Sequence, residues 1–103
     1  MTKEKLNKIY LGLEEKNGKS HQLTVCIEEL SELIKELSKW IRNKGQGGNE
    51  MKIIEEIADV EITLDQMKLF FDHNNGVEFF KEFKLKRLEK YYLRSINNEN
   101  NKR

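Results

Sequence analysis

"LTVCIEELSELIKELSKWI", residues 23 to 41, carries Leu23, Ile27, Leu30, Ile34, Leu37 and Ile41 at alternating spacings of four and three. That period aligns six apolar side chains along one side of an α-helix, and nothing in the stretch alternates as a strand would. The expectation is a single apolar stripe facing a core. The same stretch holds Glu28, Glu29, Glu32 and Glu36. Whether these four acids form the wet side of that helix or face inward to hold something decides the functional reading.

Working outward, the chain has no proline, and its breaks are confined to "KNGKS" (16 to 20), "KGQGGN" (44 to 49) and "NNG" (74 to 76). Gly- and Asn-rich punctuation of this kind separates four predicted helices, at about 3 to 15, 21 to 43, 50 to 73 and 77 to 96. Ser20 and Asn49 are the predicted N-caps of the second and third. The fold class expected is all-α, a four-helix bundle-like protomer forming one domain over residues 1–96. The tail "NNENNKR" (97–103) has nothing to bury and is expected to be disordered.

The third helix differs from the second. Ile53, Ile57, Val60, Leu64, Met67 and Phe71 make one stripe, and Met51, Ala58, Ile62 and Leu69 line up elsewhere round the cylinder. A helix apolar on two sides needs two neighbours, and the second is the first helix, the fourth helix or another subunit. A chain of 103 residues buries a limited fraction of its surface. A subunit interface is therefore the favoured expectation.

Composition excludes several classes. Charged residues are 36% of the chain, yet the formal net charge is +1, so no basic nucleic-acid footprint is expected. No apolar run approaches the roughly 18 residues that span a bilayer, and the start lacks the apolar core of a signal peptide. One cysteine, Cys26, allows no internal disulfide and reads as a buried thiol. A soluble, cytoplasmic protein without membrane or nucleic-acid partners is the expectation.

At about 100° per residue, Glu29 falls at the edge of the second helix's stripe beside Leu33 and Trp40, and Glu32 lies about 60° farther round. Residues three apart are surface neighbours, so the two carboxylates can share a ligand. "IIEEIADVEI" in the third helix repeats the arrangement: Glu56 borders the stripe, Asp59 follows three residues on, and Glu55 precedes. If the two stripes pack together, the ExxE and ExxD edges meet in one cleft. Four carboxylates so placed repel unless a cation compensates them, and oxygen-only donors suit Mg²⁺ or Mn²⁺.

The order EExxE, spacer, ExxD on two helices joined by a Gly-rich loop resembles the MazG-like all-α nucleoside triphosphate pyrophosphohydrolases. Here it reads Glu28-Glu29-Leu30-Ser31-Glu32, then Glu56-Ile57-Ala58-Asp59, and the likeness covers about residues 21 to 90. The resemblance implies a dimeric or tetrameric helical fold. It implies Mg²⁺ on Glu29, Glu32, Glu56 and Asp59, and cleavage of a (d)NTP between the α and β phosphates to the monophosphate and pyrophosphate. It also implies phosphate contacts from Lys52, Lys84 and Arg87, although the Lys-to-Arg spacing only approximates the family's.

Such chemistry needs a positioned water, for which Glu28, Glu32 and Glu55 are all candidates. Trp40 lies about 12 Å beyond Glu32 along the helix, a distance that suits a stacked base, and His21 and Gln22 are candidates for base or sugar. Ordinary packing and helix starts are the competing readings of these three. His73 has no expected site role, and Phe79, Phe80, Phe83, Tyr91 and Tyr92 read as packing for the last helix. A di-iron carboxylate bundle would need Glu-x-x-His pairs, which neither His21 nor His73 provides. A non-enzymatic helical adaptor, binding no metal, is the stronger rival.

Overall fold

A computed structural model describes residues 1–101. It is all-helical among them: α1 (Lys3–Asn17), α2 (Lys19–Arg42), α3 (Glu50–Phe71) and α4 (Gly76–Asn101). Thr2 caps α1, its hydroxyl accepting from the Lys5 amide at 3.1 Å. No helix among the described residues is long and apolar enough to cross a membrane.

The first break is shorter than expected. Gly18 alone separates α1 from α2; its N–H donates to the Glu14 carbonyl at 2.8 Å and its carbonyl accepts from the Gln22 amide at 3.3 Å. The residue that reverses the chain has φ 90°, a conformation open to glycine, so the cap of α2 is Gly18 and not Ser20. Ser20 lies inside the helix, where its carbonyl accepts from the Thr24 hydroxyl.

At the other end of α2, Lys44 and Gly45 take positive φ and the Gly45 amide donates to the Trp40 carbonyl at 2.9 Å. A Cβ on Gly45 would stand 2.8 Å from the Trp40 ring, so this position needs glycine for space as well as for conformation. Asn49 does precede α3, and its carbonyl accepts from the Ile53 amide. Its side chain does something else: the amide Nδ2 donates to the Glu36 carbonyl at 3.0 Å and to Glu36 Oε1 at 3.1 Å. Asn49 thereby ties the start of α3 to the middle of α2.

The chain divides into two units, Met1–Phe71 and the part from Asp72 on. In the first, α1 packs on α2 and α2 on α3. Its buried side chains are not those of the expected stripe. Tyr10, Cys26, Val60 and Phe70 form the apolar core, joined by the buried polar residues Gln22, Glu36, Asn49, Glu56, Thr63 and Gln66. On α2 the sheltered row is Gln22, Cys26, Glu29, Leu33 and Glu36, again spaced by fours and threes but turned about 100° from the predicted stripe. The stripe itself is open: Ile27, Leu30, Ile34, Leu37 and Ile41 are all exposed. This corrects the sequence expectation that it faces the chain's own core.

On α3, Val60 of the predicted stripe is buried and Ile53 and Met67 are half-buried, while Ile57, Leu64 and Phe71 are exposed. Met51, Ala58 and Ile62 of the second line are exposed too.

In the second unit Asp72 satisfies the first amides of α4, accepting from Gly76 and Val77 at 2.6 and 3.1 Å. The helix runs past the predicted end at 96 to Asn101, over the first five residues of the predicted tail. Lys102 and Arg103, the end of the predicted tail, lie outside the described residues. No residue of α4 is buried, so Phe79, Phe80, Phe83, Tyr91 and Tyr92 are exposed rather than packed; Phe79 and Phe80 meet edge to face at 5.6 Å.

Candidate metal centre

Two helical rows meet where α2 crosses α3, and both carry acids. Glu29 is one turn from Cys26 on the sheltered row of α2, and Glu56 and Asp59 sit one turn apart on the facing row of α3. One carboxylate oxygen from each of Glu29, Glu56 and Asp59 lies within 4.8 Å of the other two. Glu56 is buried, at 4% exposure, and Glu29 and Asp59 are half-buried. Three of the four predicted ligands are thus brought together. Glu32, one turn along α2, is exposed and stands outside this set.

The electrostatics show the strain of the cluster. Burial first, and then the charges of Asp59 and Glu56, hold the Glu29 carboxyl above its ordinary range; a side-chain hydrogen bond with Asp59 and the charge of Glu32 add to this. Glu29 therefore keeps a proton more readily than a free glutamate. Lys52, one turn before Glu56, offsets part of the negative charge: its ammonium stands 3.3 Å from Glu56 Oε1 and 3.8 Å from Glu55. The hydrogen bond to Glu56, then the charges of Glu55 and Glu56, raise the Lys52 pKa, and Glu36 contributes from α2.

Lys52 satisfies only one oxygen of Glu56. The other, Oε2, is buried and has no hydrogen-bond partner among the described residues. A buried, unpartnered carboxylate oxygen is costly and calls for a compensating donor or cation. The donor set is oxygen only, which suits a hard divalent ion such as Mg²⁺ or Mn²⁺.

The other predicted residues divide sharply. Gln22 is buried and donates to Gln66 Oε1 at 3.2 Å across the α2–α3 contact, so it serves packing there and is not open to a base. Trp40 lies over Gly45 and donates through Nε1 to Glu50 Oε1 at 3.3 Å, which makes it a clamp on the Gly-rich loop; it stays 41% exposed. His21, Glu28 and Glu55 are exposed. Lys84 and Arg87 lie one turn apart on the exposed surface of α4, in the second unit, and their link to phosphate rests on the resemblance alone.

No known protein family, characterised protein or solved structure matches this chain. The nucleotide reading rests on the resemblance of the acidic motifs, to which the geometry adds the cluster of Glu29, Glu56 and Asp59.

In the sequence Glu36 stood only as one of the four acids of α2, and Asn49 only in a capping role. Glu36 lies seven residues after Glu29, two helical turns, and therefore on the same sheltered row. That spacing was the available signal. Thr63 and Gln66, polar residues buried on α3, lie seven residues after Glu56 and Asp59 and so carry the same signal.

Proposed function

We propose that this chain is a divalent-cation-dependent nucleoside triphosphate pyrophosphohydrolase of the MazG-like kind, cleaving a (d)NTP between its α and β phosphates. The observation that carries the reading is the buried, unpartnered Oε2 of Glu56 within a triad whose carboxylate oxygens lie within 4.8 Å. Glu29, Glu56 and Asp59 would hold Mg²⁺ or Mn²⁺, with Glu32 joining from its exposed position. The bound ion supplies charge that neutralises phosphate oxygens and makes water a better nucleophile.

The chain's own residues then have distinct tasks. Lys52 has about half of its side chain in solvent, so its ammonium can turn from Glu56 to a phosphate oxygen while staying tethered one turn away. A carboxylate beside the triad accepts the proton of the attacking water as its oxygen bonds to the α-phosphorus and pyrophosphate leaves with the bridging oxygen. Of the candidates, Glu55 is paired with Lys52, while Glu28 and Glu32 face solvent.

A panel of NTPs and dNTPs tests the proposal. Pyrophosphate, not orthophosphate, is the expected product from at least one of them, and only with Mg²⁺ or Mn²⁺ present. The exposed stripe of α2 favours a second reading, a non-enzymatic helical adaptor, and absence of turnover across the whole panel with either ion would shift the balance to that reading.

A further inference from the structure

The last helix sorts its charges onto two faces. Phe80, Lys84, Arg87, Tyr91, Arg94 and Asn98 follow one another at spacings of four and three. They therefore lie within about 40° of one line along α4, on which aromatic rings are interleaved with cations. Glu78, Glu82 and Glu89 lie within about 20° of the opposite line, and Glu99 stands about 100° from the aromatic one. The chain's net charge of +1, from which no nucleic-acid footprint was expected, conceals this local separation.

The ion pairs keep the two faces apart. Lys81 stands 3.8 Å from Glu78 and Lys86 3.4 Å from Glu82, so the cations nearest the acidic line are engaged there. Lys84, Arg87, Lys90 and Arg94 have no carboxylate partner among the described residues. The rings between them are open, Phe80 at 60% and Tyr91 at 71% exposure. Shallow depressions flank Tyr91, one beside Lys84 and Arg87 and the other beside Arg94 and Asn98, with Glu99 at its rim.

We infer that this face of α4 binds a single strand of nucleic acid without reading its sequence. Unpaired cations neutralise phosphates, and open aromatic rings stack on bases of any identity. Phe80 and Tyr91 are about 16 Å apart along the axis, the length of roughly five stacked nucleotides. Such contacts use phosphates and base faces, which DNA and RNA share. A lipid surface fits less well. A helix lying on a membrane keeps its apolar and cationic residues on opposite faces, whereas here rings and cations share a line. Leu85, Leu93 and Ile96 fall instead beside the acids, which anionic headgroups repel.

Binding at this face does not depend on the metal centre, and its test rests on Tyr91 and Arg94 rather than on Lys84 and Arg87, for which the resemblance already implies phosphate contacts. Fluorescence anisotropy in a chelating buffer, with labelled oligothymidylate and oligouridylate of about ten nucleotides, is expected to show binding by the full chain at about 50 mM salt. Three or four phosphate contacts at about 0.7 each predict that log affinity falls against log salt with a slope of about 2 to 3. Arg94→Gln is expected to lower that slope by about 0.7, and Tyr91→Ala to weaken binding about fivefold or more at an unchanged slope. Lys86→Gln, on the acidic side, is expected to change affinity less than about twofold. Should Tyr91→Ala lose helical circular dichroism, the Arg94→Gln slope decides. Failure to bind either oligonucleotide overturns the proposal. So does equal binding of a duplex of the same length, or displacement of the oligonucleotide by an equal concentration of thymidine triphosphate, the mark of a mononucleotide site.

Discussion

Two faces of α2 carry opposite chemistry from what their burial would suggest. The face against α3 presents Gln22, Glu29 and Glu36 along with Cys26 and Leu33, and it is sheltered. About 100° round the cylinder, the face of Ile27, Leu30, Ile34, Leu37 and Ile41 is open. The difference teaches that apolar character along a helix does not by itself decide which face is covered. Burying acids is unfavourable unless something compensates them, whereas the open isoleucines and leucines hold the hydrophobic free energy that the chain has not yet used.

The largest effect expected from breaking this contrast is at Glu56. Glu56→Gln keeps the shape of the buried side chain and removes its charge, so Mg²⁺ should no longer raise the melting temperature. Turnover of the preferred nucleotide should fall by about 100-fold or more, in line with the loss of a metal-binding group. Unchanged turnover would take Glu56 out of the site.

A medium effect compares the faces directly. Leu33→Ala on the sheltered row should cost roughly 1 to 3 kcal/mol in urea unfolding at any protein concentration. Ile34→Ala, one residue away on the open face, should cost little, because nothing among the described residues covers it. Equal costs would mean that the two faces are not different in kind.

The smallest effect lies at the edge of the sheltered row. Asn49→Ala removes both hydrogen bonds to Glu36 but also removes a buried Oδ1 that has no partner among the described residues. The two changes offset in part, and a loss of about 1 kcal/mol is expected in the same urea measurement. A loss several times larger would show that Asn49 fixes the register of α3, and with it the position of Glu56.

Much of this was legible in the residues. The four helices and their Gly- and Asn-rich joins follow from period and spacing, and the buried thiol of Cys26 from its residue type. The meeting of Glu29 with Glu56 and Asp59 was expected from the packing of two apolar stripes, whereas the structure brings them together along the sheltered rows instead. Ser20 was misread because a hydroxyl is a better cap than glycine by preference, yet the reversal at Gly18 needs a positive φ that serine does not favour. Trp40 and Gln22 were candidates for a base because side-chain type alone does not reveal a hydrogen-bond partner ten or forty-four residues away.

By itself, then, the sequence determined the class of the fold and the rows on which its acids lie, because helical period is a local property set by 3.6 residues per turn. Only the tertiary structure decided which row turns inward. Period measures angles within one helix, while burial depends on the neighbour that helix finds. In this chain α3 meets the acids of α2, and the apolar stripe is left exposed.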